Sequence, residues 1–402
     1  MNISSLDLFA GAGGFTLGLK NSGITTIGAN EIDRFAAETF RNNFPEVSLM
    51  ETDIRELSNK TLKSHFSGVD LIVGGPPCQG FSVAGPSQYG ILDDRNDLVL
   101  EFIRAISVLK PKMVIMENVK NFLNGKLPSK DLVVDVVKKK LKDLDYSVKI
   151  KVAYAPDYGI PQSRTRVFII GIHNKADLQF PRIEPTHGFA LDSYVKVEEA
   201  IYDLPFIDVN QGFEDSPELL EYREVELSDY QKKMRLNSPG IFNHVSMKHT
   251  PRLIERFKHI PQGGSLLDVP FEHGQRVRNG NSLDLKPRFK MNNQRLDPKN
   301  ISQCITASFQ STFVHPVLNR NLTAREGARL QSFPDHFIFK GPRTLMSKKL
   351  LIREGREDEI GLSQYNQIGN SVPPLLAQAI GKSIIESFEQ SKKQESLQTA
   401  IG

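Results

Sequence analysis

Cysteine is nearly absent from this chain: 402 residues hold two, Cys78 and Cys304. Two thiols cannot build a disulfide framework or a four-thiolate zinc site, so a reducing, intracellular setting is expected. An excess of one charge is missing too. The 51 basic and 47 acidic residues leave a net +4, too little to announce a nucleic-acid binder. No stretch has the apolar length needed to span a bilayer, and the opening "MNISSLDLFAGAGG" lacks the basic-then-apolar order of a signal peptide. Neither secretion nor membrane insertion is expected. There is no internal repeat and no low-complexity segment. What remains is ordinary, 39% hydrophobic and 24% charged, in a chain longer than one hydrophobic core usually serves, so two domains are expected.

Up to about Gly171, short apolar runs alternate with amphipathic stretches. Residues 3–9, 25–31, 69–75, 112–118 and 166–172 read as strands, and 14–23, 33–44, 97–110 and 131–146 as helices. Strands separated by helices imply an α/β fold with a doubly wound, mostly parallel sheet. After Pro181 the rhythm fails, proline, glycine and polar residues become frequent, and a second, irregular domain is expected. Charge segregates there: 184–229 holds 2 basic and 13 acidic residues, 232–299 holds 14 basic and 5 acidic. On its own each block reads as a solvated face. Residues 372–391 read as a helix after a proline start.

The chemistry collects at strand ends. "DLFAGAGGF" places glycines between a strand and a helix, where a ligand can approach backbone N–H groups. It does not supply G-x-G-x-x-G, so a pyrophosphate is not clearly provided for. Glu31 ends the next strand and Asp53 lies in "ETDI"; with the loop they describe a site for an adenosine-bearing cofactor. In "GGPPCQGFS", Pro76 and Pro77 hold Cys78 on a stiff loop past a strand, poor surroundings for a packing cysteine and suitable ones for a reactive thiol. Glu117 ends an apolar strand, where poor solvation favours a protonated acid. Gln162, Arg164 and Arg166 recur at period two entering another strand, which predicts one shared face and an arginine pair for an anion or carbonyl oxygen.

Taken together and in this order, the motifs resemble those of the DNA (cytosine-5) methyltransferases. "DLFAGAGGF" is similar to that family's cofactor loop, "GGPPCQGFS" to its Pro-Cys nucleophile motif, "ENV" to its acid motif and "QSRTR" to its paired-arginine motif. "LTAREGARLQSFPDHF" and "QYNQIGNSVPP" resemble its two late motifs. The resemblance implies an enzyme in which Cys78 adds to C6 of a flipped-out cytosine and Glu117 acts at N3. Arg166 would hold O2 and Arg164 would steady the site or a phosphate. It implies S-adenosylmethionine as cofactor, leaving as S-adenosylhomocysteine, with no metal. Phe9, Ala10, Gly11, Gly13, Gly14, Glu31, Ile32, Asp53, Ile54, Pro76, Leu98, Asn370, Ser371 and Val372 would form its pocket. Ile32 stands where many members carry an aromatic residue.

The same resemblance assigns residues 1–182 with 361–402 to the catalytic and cofactor domain and 183–360 to a target-recognition domain and hinge. Double-stranded DNA becomes the expected partner, and the basic block is then read as facing phosphates. Gln79, Ser82 and Arg95, on a loop over the DNA, and Arg276, Arg278, Arg288 and Arg295 are candidate DNA contacts. Residues 340–363 look like an insertion, either a DNA-facing flap or a surface excursion. Compact members are usually modification enzymes of restriction systems, so a cytoplasmic protein of a bacterial or archaeal cell, monomeric on DNA and with a cognate restriction endonuclease, is expected. Methylation of cytosine in transfer RNA is the nearest alternative. A nicotinamide-dependent oxidoreductase would explain the Gly-rich turn and Glu31 but leaves the Pro-Pro-Cys loop and the arginines idle.

Overall fold

The apolar runs of the first 173 residues assemble as strands of one sheet. A computed structural model describes residues 2–77, 96–126, 131–209, 219–276, 286–344 and 348–401, and divides them into two units. Unit 1 comprises 1–158, 165–186 and 371–402; unit 2 comprises 159–164 and 187–370.

Unit 1 holds β1 (Ser4–Leu8), β2 (Thr25–Glu31), β3 (Ser48–Glu51), β4 (Leu71–Gly74), β5 (Met113–Val119), β6 (Tyr146–Tyr154) and β8 (Thr165–His173); β7 (Gln162–Ser163) belongs to unit 2. The sheet order is β3-β2-β1-β4-β5-β8-β6. Neighbours are parallel as far as β5, and β8 then lies antiparallel between β5 and β6. A parallel return needs a crossover of a dozen or more residues, and 155–164, the link from β6 to β8, is too short to supply one. The strand β6 was absent from the sequence reading, although Val148, Ile150 and Val152 alternating with Lys149 and Lys151 carry the period of an edge strand.

Helices α1 (Gly14–Ser22), α2 (Arg34–Asn43), α3 (Asn59–Phe66), α4 (Asn96–Leu109) and α5 (Val133–Asp143) link the strands. The core on one side gathers Leu6, Phe66, Ile72, Phe102, Val114 and Val137. The C-terminal α13 (Pro374–Ile401) packs on α1 so closely that a Cβ at Gly18 would stand 2.6 Å from Pro374 O. Among the described residues, no helix is long and apolar enough to cross a membrane.

Unit 2 has short elements: α6 (Val197–Ile201), α7 (Asp229–Arg235), α8 (Pro251–Lys258), α9 (Phe309–Thr312), α10 (Ala324–Leu330), α11 (Lys348–Arg353), α12 (Gln364–Asn370), β9 (Gln294–Arg295), β10 (Ser302–Gln303) and β11 (Phe313–Val314). Buried polar pairing replaces much of the missing ladder. Arg329 makes two-pronged bonds to Asp335 (2.6 and 2.6 Å) and to Asp203 (3.1 and 3.1 Å), all three fully buried.

The unit boundaries differ from those expected. Residues 159–164 join unit 2 because β7 pairs with β10, and Ser302 donates its N–H to Pro161 O at 3.0 Å. The return to unit 1 comes at Ser371 rather than 361, because α12 stays in unit 2, where Gly369 lies against the Thr306 backbone.

Candidate active site

Parallel strands point their carboxyl ends one way, and the winding reverses between β1 and β4, the place where open α/β sheets take their ligands. Past Leu8 the backbone turns sharply: Phe9, Gly11 and Gly13 have φ of 58°, 57° and 93°. Left-handed values suit glycine; Phe9 adopts one with its side chain packed on the core. A Cβ at Gly11 would meet nothing within 4 Å, so the loop backbone faces open space there. Ala10 N–H is held by Asn30 O (3.0 Å), and Gly13 closes the turn on Ala10 O (2.9 Å) before Gly14 starts α1.

Asp7 was not singled out in the sequence. Helix α1 has no side-chain cap at Gly13, and Asp7 supplies one from β1, accepting from the Thr16 hydroxyl at 2.7 Å and from the Thr16 N–H. Burial pushes its carboxyl up to about 7, against the lowering by Thr16, and Glu31 adds a smaller rise. The signal was present: an acid inside the apolar run "SLDLF".

Glu31 is buried at the end of β2. Its carboxylate accepts from Gly11 N–H (2.7 Å), Ile32 N–H (2.9 Å) and Asp33 N–H (2.7 Å), while burial raises its pKa. Three bonds leave an acceptor position, and a ribose hydroxyl suits it. Ile32 is 63% exposed beside it, an apolar side chain available to cover a flat ring. Asn30 donates to Met50 O (3.0 Å) and Thr52 O (2.8 Å), which fixes the chain before Asp53. Asp53 starts the turn Ile54–Glu56 and pairs with Arg55 at 2.5 Å, which lowers its pKa. Leu98 packs half-buried on the main core, Ser371 and Val372 are buried in unit 1, and Asn370 ends α12 in unit 2. Open backbone at Gly11, the Glu31 acceptor and the Ile32 face fit an adenosine group.

Glu117 and Arg166 form the second cluster. Val119 lies opposite Arg166 in the antiparallel β5–β8 pair, so Glu117, two residues earlier, shares its face. Arg166 Nε donates to Glu117 Oε1 at 2.7 Å, and its Nη1 donates to Thr165 O at 2.8 Å. The buried carboxylate is therefore compensated by a cation, Arg166. A Cβ at Gly75 would stand 3.0 Å from Glu117 Oε2, and Asn118 Nδ2 donates to Pro76 O at 3.1 Å. The Gly-Gly-Pro-Pro segment is thus laid against the acid. Cys78, Gln79, Ser82, Arg95 and Arg278 lie outside the described residues.

Two expectations are corrected. Gln162, Arg164 and Arg166 do not share one strand face, because β7 ends at Ser163 and β8 begins at Thr165. Arg164 is buried in unit 2 and donates to Ile305 O (2.7 Å) and Gly369 O (3.0 Å), while Gln162 bonds Leu330 O (2.9 Å), Gln331 and Ile305 N–H (2.9 Å). Nor is Arg295 a DNA contact. It is buried, and its five N–H groups reach Ile260, His315, Leu318 and Phe257 carbonyls and Asn319 Oδ1 at 2.6–2.9 Å. Arg276 is exposed; Arg288 is half-buried, bonded to Val269 O and 5.3 Å from the Phe271 ring.

Residues 3–386 match the family model of C-5 cytosine-specific DNA methylases. The chain belongs to that family. The methylase is 44% identical over 390 residues, 97% of this chain and 89% of the relative, to the type II methyltransferase M.DdeI of Desulfomicrobium norvegicum. It is 32% identical to the type II methyltransferase M1.HphI of Haemophilus parahaemolyticus, over 96% of this chain and 87% of that one. Among solved structures, an E. coli prophage-encoded protein described as a DNA modification methyltransferase superposes with a TM-score of 0.73 at 26% identity, over 96% of this methylase and 100% of its own chain. The methylase is a cytosine-5 DNA methyltransferase with a mostly parallel α/β sheet.

Proposed function

We propose that this methylase is the modification enzyme of a type II restriction system, methylating C5 of a flipped-out cytosine in one short duplex sequence. The observation that carries the chemistry is the Glu117–Arg166 pair, 2.7 Å apart, at strand ends beside the Gly75–Pro77 segment that leads into Cys78. Glu117 hydrogen-bonds or protonates cytosine N3, and Arg166 holds O2, so negative charge is accepted where it develops. The Cys78 thiolate adds to C6, which makes C5 nucleophilic. C5 takes the methyl group, a base removes the C5 proton, the C5–H electron pair re-forms the C5–C6 double bond, and the C6–S pair leaves on sulfur as the thiolate.

S-adenosylmethionine, when bound, supplies a methyl group on a sulfonium. Glu31 would hold its ribose, Ile32 and Phe9 its adenine, Asp53 and Ile54 the adenine edge, and the loop from Ala10 to Gly14 its carboxylate end, with Pro76, Leu98, Asn370, Ser371 and Val372 completing the pocket. Arg164 acts as a positioning residue through Ile305 O and Gly369 O, beside Asn370. Gln79, Ser82, Arg95, Arg276, Arg278 and Arg288 remain proposed DNA contacts. A cytoplasmic protein, monomeric on DNA and accompanied by a cognate endonuclease, completes the reading.

The test is incubation of the protein and S-adenosylmethionine with plasmid of varied sequence, followed by bisulfite sequencing. Protection of cytosines in one short context is expected, and none with Cys78→Ser. Protection on transfer RNA but on no DNA cytosine would overturn the reading.

A further inference from the structure

Unit 2 carries a surface that the base and cofactor chemistry leaves unused. Residues 266–275 and 286–292 run side by side. Lys286 donates its N–H to Gln275 O at 2.7 Å, Arg288 reaches Val269 O, and Leu266 donates its N–H to Asn292 O at 3.0 Å. The second segment closes in a turn, with Asn292 N–H on Phe289 O at 3.0 Å. Its sequence, "KPRFKMN", alternates cations with large apolar side chains. Phe289 is 59% exposed, Met291 67%, and Phe271 on the adjoining segment 70%.

Scattered exposed apolar side chains need no explanation, but three on adjoining segments among like charges do. Between them 266–276 and 286–292 hold Arg276, Lys286, Arg288 and Lys290 against two carboxylates, Asp268 and Glu272. Directly behind the turn, Asn293 is buried with a φ of 47°, and its Oδ1 has no hydrogen-bond partner. The buried Oε1 of Gln310 is likewise without one, and Asn293 Nδ2 reaches the next residue, Ser311, at 3.5 Å. A left-handed asparagine and unpaired buried acceptors cost free energy, and such costs gather at binding sites. A protein partner's interface core would be depleted of charge, whereas this surface is cationic and suits phosphate.

We infer that the Phe289–Asn292 turn is the base-reading tip of unit 2, with Phe289 and Met291 on base edges or a base step and Lys290 on a flanking phosphate. This rests on the reading of the chain as a duplex-DNA methyltransferase. Apolar side chains discriminate by contact with the thymine methyl group or by wedging a deformable step, while lysine positions without reading sequence.

The experiment compares the full-length protein with Phe289→Ser/Met291→Ser and Lys290→Ala on a duplex library with S-adenosylmethionine. Bisulfite mapping, DNA affinity against salt, and cofactor binding are measured together. The double variant is expected to lose roughly tenfold in preference for its target over near-cognate contexts, with cofactor binding kept. Lys290→Ala is expected to weaken all duplexes alike and to lower the slope of log affinity against log salt by about one. An active wild-type protein whose double variant keeps both rate and context preference sinks the inference. A wild-type protein that methylates no duplex sinks the functional reading, and the inference with it. Should the double variant melt early, the single exchange Met291→Gln gives the same comparison at an exposed position.

Discussion

Arg166 Nε donates to Glu117 Oε1 at 2.7 Å, joining the acid at the end of β5 to the arginine at the start of β8. The antiparallel register puts both on one face, two residues apart in the ladder. Each therefore holds the other in place before a base arrives, and neither charge is buried alone. Glu117→Gln keeps the shape but removes the carboxyl group proposed to act at N3 and, with it, the counter-charge of Arg166. A loss of roughly 10²- to 10⁴-fold in the rate of methyl transfer, with cofactor binding retained, is expected in single-turnover assays. Undiminished transfer would remove Glu117 from the chemistry.

Asp7 makes stability depend on pH in the direction opposite to most carboxylates. Its pKa rises from an ordinary 3.8 to about 7, so the folded state binds the proton more tightly. The stability it contributes is fully present below 3.8 and is lost as pH rises through about 7. Asp7→Asn keeps an acceptor for Thr16 and removes this slope. Melting curves between pH 4 and 8 should show the variant gaining on the wild type as pH rises, by roughly 2–4 kcal/mol in all. A constant difference across that range would contradict the assignment.

Arg295 separates stability from recognition. Truncation to alanine strands four carbonyls and an amide oxygen inside unit 2, at a cost on the order of 3–5 kcal/mol in denaturant unfolding. The salt slope of DNA affinity should stay as in the wild type wherever the variant is folded. A reduced slope would restore Arg295 as a phosphate contact.

Arg329 bridges Asp203 and Asp335 with every bond buried. Arg329→Ala leaves two carboxylates short of their counter-charge, and a destabilisation of about 3–5 kcal/mol is expected by chemical denaturation. Arg329→Lys should recover little of it, since an ammonium cannot serve two forks at once. Full recovery by lysine would show that charge alone matters there.

Much of unit 1 was legible because its rules are local. Apolar runs such as "DLIVGG" and glycine-ended helices give strands and helices wherever they occur, and "DLFAGAGGF", Glu31 and the Gly75–Pro77 segment stand at strand ends for the same reason. The motif order was enough to indicate the family. Arginine was not legible. Arg164, Arg288 and Arg295 look alike in a sequence, a cation among polar residues, yet Arg295 is a buried clamp, Arg164 ties 159–164 to 305 and 369, and Arg288 lies over an aromatic ring. Which carbonyls an arginine meets depends on segments far away in the chain.

The sequence by itself determined the alternation of strand and helix and the glycine turn after β1, since propensity, periodicity and proline act over a few residues. Tertiary structure alone decided that Glu117 meets Arg166, that Asp7 caps α1 from another element, that β8 runs antiparallel, and that Arg295 faces inward. Each of these depends on contacts between distant segments, whose partners are chosen by packing and by the requirement that buried polar groups be paired.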